Sequence, residues 1–283
     1  MWKPLRVSGL ILSGLLLVSV YLAFPESGWC GKVLVGKISE ETIYRVPGLR
    51  GFVYDGETGM PVQGALVTIP SQGMAVKSNN RGAYAIKEMP LNGPPKMIVK
   101  IAKQGYAPFS YTIDMGKFQQ ASAKGSQAPI SVQLRRLKKI LVIDDNLRHL
   151  GDGQYSHVSA GARQFRKQSD GTAYMQQFFL PRMDIAAFPI LEIGSILGLD
   201  TREAHQNGQS HHHKQSSPVR IRINGREISR IATNGDGHKV QFPKHLLNKN
   251  GINTIELETG YHYPDGKRID YDDMEFMNLL LQL

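Results

Sequence analysis

Asp270, Asp272, Asp273 and Glu275 set four carboxylates within six residues near the C-terminus, and Asp265 precedes them in a Pro264-Asp265-Gly266 turn. Like charges at that density repel unless a cation offsets them. Calcium, which takes about six to eight oxygen ligands from carboxylates and carbonyls, is the ion such a set suits. The competing reading is a solvated acidic turn balanced by Lys267 and Arg268. If the segment is a strand, alternation sends neighbouring side chains to opposite faces, so all four cannot converge on one ion. Just upstream, Tyr261, His262 and Tyr263 follow a Thr259-Gly260 turn, and Tyr271 comes a few residues later. Aromatic rings flanked by polar groups suit a sugar, which offers an apolar face and a polar rim. Equally, one or two of these tyrosines can simply pack on a core.

Other polar clusters say less. His211, His212 and His213, with His205 six residues before, lie in a Gln-, Ser- and Gly-rich stretch. Imidazoles hold zinc or copper, but consecutive histidines in a loop more often make an adventitious site. His149, Asp152, Tyr155 and His157 form a second cluster, and a His-Asp pair can do acid-base work. No nucleophile motif, zinc-binding H-E-x-x-H, phosphate loop or dinucleotide fingerprint accompanies it. A catalytic site would therefore have to assemble only in three dimensions. Arg163, Arg166, Lys167 and Arg182 could attract an acidic polymer, although a scattered solvated face explains them as well.

These residues need elements to position them. The 283 residues carry 29 glycines and 15 prolines, and apolar alternations are broken by Gly, Pro, Asn and Asp at intervals of about 8 to 12 residues, the punctuation of an all-β chain. Gly51–Tyr54 and Ala65–Ile69 read as a hairpin around the Asp55–Gly59 turn. Asn224-Gly225 joins a second pair of strands, Val219–Ile223 and Ile228–Ile231. The stretches 117–129 and 203–218 read as solvated loops, and Lys244–Asn250 as one helical turn. The basic run after Leu134 marks where one apolar pattern ends and another begins. The expected architecture is two β-sandwich domains in tandem, residues 40–137 and 138–283, after an N-terminal apolar helix.

That helix spans Val7–Phe24, uncharged and preceded by Lys3 and Arg6, the order of an export signal. Its 18 residues lie between a cleaved peptide and an uncleaved anchor, and residues 1–30 are assigned to one or the other. Either reading exports the remainder to the periplasm or beyond, anchored to the membrane if the segment stays uncut. The net charge of +10 would permit nucleic acid, anionic lipid or an acidic glycan as partner, and export removes the first. One cysteine, Cys30, excludes a disulfide framework.

Two resemblances sharpen this outline. The order G-x-V-x-D-x-x-T-G-x-P-x-x-G-A-x-V from Gly51 to Val67, S-x-x-x-G-x-Y from Ser78 to Tyr84 and G-Y-x-P at Gly105–Pro108 resemble the carboxypeptidase regulatory-like domain, a transthyretin-like β-sandwich. That likeness implies a non-catalytic spacer, and the His-x-x-Glu of a zinc carboxypeptidase occurs nowhere in the chain. The second half resembles the galactose-binding-like jelly rolls of carbohydrate-binding modules, through I-R-I-N-G-R-E-I at Ile221–Ile228, the run from Phe242 to Leu257 and D-Y-D-D-M-E-F-M-N-L at Asp270–Leu279. H-L-G-D-G-x-x-S at His149–Ser156 is similar to a motif of the same exported modules. Such jelly rolls commonly hold a structural calcium where the last strand meets the first, which the resemblance places at Asp273 or Glu275. The expectation is an exported, non-catalytic protein presenting a jelly roll to a glycan or cell-surface polymer. The alternatives are an adhesion or envelope-assembly component binding a protein partner, and a hydrolase with an unrecognised site.

Overall fold

Period-two burial marks several of the strands. In Arg50–Asp55 and Val219–Ile223 every second side chain is buried and the rest face outward, the pattern of a sheet packed on one side. The computed structural model describes residues 45–90, 94–125, 127–153, 165, 167–210, 215–263 and 266–283. The apolar run Val7–Phe24 and the histidines at 211–213 lie outside them, as do Tyr155, His157, Arg163, Arg166 and Asp265. No helix among the described residues is long and apolar enough to cross a membrane.

The first half contains β1 (Arg45–Pro47), β2 (Arg50–Asp55), β3 (Leu66–Ile69), β4 (Met74–Lys77), β5 (Ala83–Ala85), β6 (Glu88–Pro90), β7 (Lys96–Ala102), β8 (Phe109–Asp114), helix α1 (Met115–Ala123) and β9 (Ile130–Leu134). A three-stranded sheet, β5-β2-β9, faces a four-stranded one, β4-β3-β7-β8, and β1 pairs with β6. Val53 and Val132 from one sheet meet Val67, Ile69, Val99 and Ile101 from the other in a common core.

Two sequence expectations fail here. Strands β2 and β3 are no hairpin, because β2 pairs with β5 and, in parallel, with β9, while β3 lies in the opposite sheet. The Asp55 side chain does make the expected turn, accepting from the amides of Glu57 and Thr58, but the chain leaving it crosses over the core. Residues 117–129 are also not all loop. Helix α1 starts at Asp114, whose carboxylate accepts from the Lys117 amide at 3.1 Å, and buries Met115 and Phe118. The anchoring residues precede or interrupt the polar stretch, so its composition hides them.

The second half contains β10 (Ile140–Asp144), β11 (Arg148–Leu150), β12 (Ala173–Leu180), β13 (Ile190–Leu197), helix α2 (Arg202–Gln206), β14 (Val219–Ile223), β15 (Arg226–Ile231), β16 (Gly235–Gln241), β17 (Gly251–Glu258), β18 (Tyr261–His262), β19 (Asp270–Tyr271) and β20 (Met274–Gln282). Helix α2 is thus a short ordered turn over the start of the expected 203–218 loop, and the expected turn after Pro243 is a 3-10 turn at Lys244–Leu246. One sheet runs β10-β20-β13-β16, with β11 also on β20; the other runs β12-β17-β14-β15. Asn224 and Gly225, at φ 49° and 76°, close the β14–β15 hairpin in the left-handed conformation that a two-residue connection needs. Leu191, Ile193, Phe276 and Leu279 pack against Ile221, Ile255 and Leu257 across this second core.

The halves touch along β8, which lies against β13, β16 and β20. Ile98, Leu147, Leu197 and Met277 form a small apolar cluster between them. Asp236 accepts from the Thr112 amide at 2.9 Å and from the hydroxyls of Thr112 and Ser195, both at 2.8 Å. Arg135 reaches Glu192 at 2.7 Å. Residues Ile43–Leu283 accordingly form one compact unit.

Candidate functional site

Strand β20 runs through the middle of its sheet and is buried along almost its whole length. The acidic run is its approach, so the carboxylates enter the protein instead of standing in water: Asp270, Asp272, Asp273 and Glu275 are all buried. The link at residues 272–273 between β19 and β20 then divides them. Asp270 pairs across β18–β19 with His262, whose Nε2 lies 3.5 Å from its carboxylate. Asp272 turns to the other half of its surroundings, where Oδ2 accepts from the Asp200 amide at 2.9 Å. Its backbone is clamped by the Gly260 carbonyl and the Thr259 hydroxyl. Asp273 and Glu275, two residues apart, both address His149 of β11, which stands opposite Glu275 in the ladder.

His149 is fully buried between two acceptors. Its Nδ1 lies 2.6 Å from the Lys167 carbonyl and its Nε2 3.1 Å from Asp273 Oδ1. A neutral imidazole has one N–H, so a second proton must sit on Nε2 or on the Asp273 carboxyl. Burial pulls the His149 pKa down, but Asp273, the Lys167 carbonyl and the charge of Glu275 outweigh it and leave the imidazole above its ordinary value. Burial pushes Asp273 up against the opposing pull of His149. It lifts Glu275 to about 7, and Asp272, with Asp200 beside it, well above the carboxylate range.

Three carboxylate oxygens in this run, Asp272 Oδ1, Asp273 Oδ2 and Glu275 Oε1, are buried without a hydrogen-bond partner among the described residues. Such groups are uncommon in folded proteins and each calls for a cation, a proton or a water. Among the described residues no three of His, Cys, Asp and Glu are grouped as metal ligands.

The motif His149–Gly153 is built around Asp273. A Cβ on Gly151 would stand 1.8 Å from Asp273 Oδ1, and one on Gly198 2.5 Å from the Asp273 carbonyl. Asp152 approaches from the same loop, its carboxylate 3.5 Å from the Tyr271 amide. Sequence reading set His149 and Asp152 apart from the acidic run, because 121 residues separate Asp152 from Asp273; the β11–β20 pairing joins them. It also missed Asp200, which no motif marks.

The tyrosines gather at one place. Tyr261 lies edge-on to Tyr263 and Tyr271, with ring centroids 5.7 and 6.0 Å apart. Tyr263 is 53% exposed, while Tyr261 and Tyr271 are half-buried. His262 points the other way, towards Asp270 and the Ser216 hydroxyl. Of the basic residues, Lys167 pairs with Asp170 at 2.5 Å and Arg182 is exposed.

Compared with known proteins, the chain matches no protein-family model and no curated sequence.

Proposed function

We propose that this chain is an exported, non-catalytic binding protein, in which a transthyretin-like sandwich acts as spacer and a jelly roll presents the Tyr261, Tyr263 and Tyr271 cluster to a glycan or cell-surface polymer. The observation that carries the reading is the exposed ring of Tyr263, held edge-on by Tyr261, itself backed by Tyr271. A rigid aromatic held by its neighbours stacks on a sugar at little entropic cost. His149 and Asp273, the one His-Asp pair in hydrogen-bond contact among the described residues, are both fully buried and so poorly placed for chemistry on a bulky substrate. In this reading the orphaned oxygens of Asp273 and Glu275 belong to a structural calcium that stiffens the approach to β20. Export and membrane attachment rest on the residues before Cys30.

The test is a glycan array probed with residues 43–283, followed by calorimetric titration of any hit. Tyr263→Ala should weaken binding about tenfold without lowering the melting temperature. Absence of binding to every polysaccharide would favour the second reading, a protein partner held by the same loops.

A further inference from the structure

Strand β12 is the longest edge strand in the described structure and lacks the devices that keep edges apart. Its eight residues, Ala173–Leu180 (AYMQQFFL), pair with β17 on one side only and include no charge, proline, glycine or bulge. The other strands bordering the same two sheets are guarded: β15 carries Arg226, Glu227 and Arg230, β16 carries Asp236 and Lys239, and β10 ends on Asp144. Unguarded edges of this kind are templates for pairing with another strand. On the outer face of β12, Met175 is 64% and Phe179 56% exposed, and Ile252, opposite Phe179 on β17, is 60% exposed.

We propose that β12 pairs antiparallel with β12 of a second copy of this chain, joining two four-stranded sheets into one of eight. The occupant follows from the strand's own pattern. A two-fold axis through Gln177 sets Gln177 against its symmetry mate and each Met175 against Phe179 of the other copy. The outer face then carries a continuous row from Ile252 through Phe179 to Met175 of the other copy. On the inner face the same register sets Tyr174 against Leu180 and Gln176 against Phe178, so no apolar side chain faces a charge. The seam is neutral in a chain of net charge +10. Beyond the strand the same register sets Arg182 against Thr172 and Asp170 against Asp184 of the other copy, so the flanking charges do not favour the pair. Asp170 keeps Lys167 as its own partner. Eight residues a side fall short of the roughly 20 to 30 of a standard interface, so the pair forms weakly and only at high local concentration.

Disulfide trapping in the full chain, solubilised in a mild detergent with Cys30→Ser, tests the register. Gln177→Cys should cross-link to itself under mild oxidation, since directly opposed positions bring Cβ atoms about 4.5–5.5 Å apart. Met175→Cys should cross-link only when mixed with Phe179→Cys. Gln177→Lys and Gln177→Glu should each weaken self-association about fivefold or more, and an equimolar mixture should restore it. Gln177→Cys cross-linking no faster than Arg81→Cys, on an exposed turn of the first half, would overturn the proposal. So would trapping of a different envelope protein with no self-pair.

Discussion

Asp144 and the carboxylates leading into β20 belong to one sheet and are withdrawn from solvent to a similar degree, yet their electrostatics are opposed. Asp144 accepts from the Tyr174 hydroxyl, the Asn146 amide and side chain, and Arg148, at 2.7 to 2.9 Å. Burial raises its pKa, but those donors outweigh burial and leave it below the ordinary carboxylate value. Asp272, Asp273 and Glu275 have too few donors, so burial wins and each is raised. Burial of a charge is thus tolerated in two ways: by hydrogen bonds supplied by the fold, or by a proton or ion that takes the place of the missing donors. The first kind of site is structural and complete. The second is where an ion or proton should matter.

The largest expected effect separates the two directly. Asp144→Ala strands the half-buried Arg148 and the Tyr174 hydroxyl, and removal of one partner from a buried pair costs about 3–5 kcal/mol. Asp272→Asn, by contrast, keeps an oxygen for the Asp200 amide and removes a disfavoured charge, so in EDTA at pH 8 it should leave the melting temperature unchanged or raise it. A large loss of stability for Asp272→Asn in EDTA would break the distinction.

The pH dependence follows with its sign. Glu275 has its folded pKa raised from 4.5 to about 7. The folded state therefore holds a proton that the unfolded chain has released between those values, and stability falls as pH rises through that window. The shift corresponds to about 3 kcal/mol. Raised Asp273, Asp272 and His149 act in the same direction. Asp144, with a lowered pKa, contributes stability that disappears only as pH falls below its unfolded value of 3.8. Melting in EDTA should peak near pH 5 and decline towards pH 8, and Glu275→Gln should flatten the upper limb. A curve that rises from pH 5 to 8 would contradict the raised carboxylates.

Calcium supplies the next smaller effect. An ion bound only by the folded state adds about 2.7 kcal/mol at a hundred times its dissociation constant. At pH 8, above the Glu275 pKa of about 7, millimolar calcium should raise the melting temperature over EDTA; at pH 5 protons compete and the gain should shrink. Asp273→Asn should abolish the gain. Superimposable curves in calcium and EDTA at pH 8 would leave these oxygens to protons or water.

The all-β class was readable in the sequence because alternation and turn residues act locally: Val219–Ile223 and the Asn224-Gly225 turn need nothing distant to specify them. The acidic run was visible for the same reason. Its division between Asp200 on one side and His149 on the other was not, since that depends on which strands neighbour β20. The β2–β3 hairpin reading failed likewise, because a turn fixes where the chain reverses but not which sheet receives the next strand. Helix α1 escaped because its cap, Asp114, ends a strand and its two buried residues sit among Gln, Ser and Gly.

The smallest effect probes the complete site one donor at a time. Tyr174→Phe deletes the hydroxyl 2.7 Å from Asp144 and keeps the ring, which packs edge-on to Phe276 at 5.2 Å and lies 5.3 Å beneath the Arg148 guanidinium. No cavity forms, so the measured change isolates one hydrogen bond to a charged acceptor, about 1.5 kcal/mol. Asp144 would still have Asn146 and Arg148, and its pKa should move upward only in part. If its stability depends on several donors acting together, the acid limb of the melting profile should shift to higher pH in Tyr174→Phe while the limb above pH 5 stays in place. Movement of the upper limb instead would mean that the two carboxylate sites in this sheet are coupled and cannot be treated as separate.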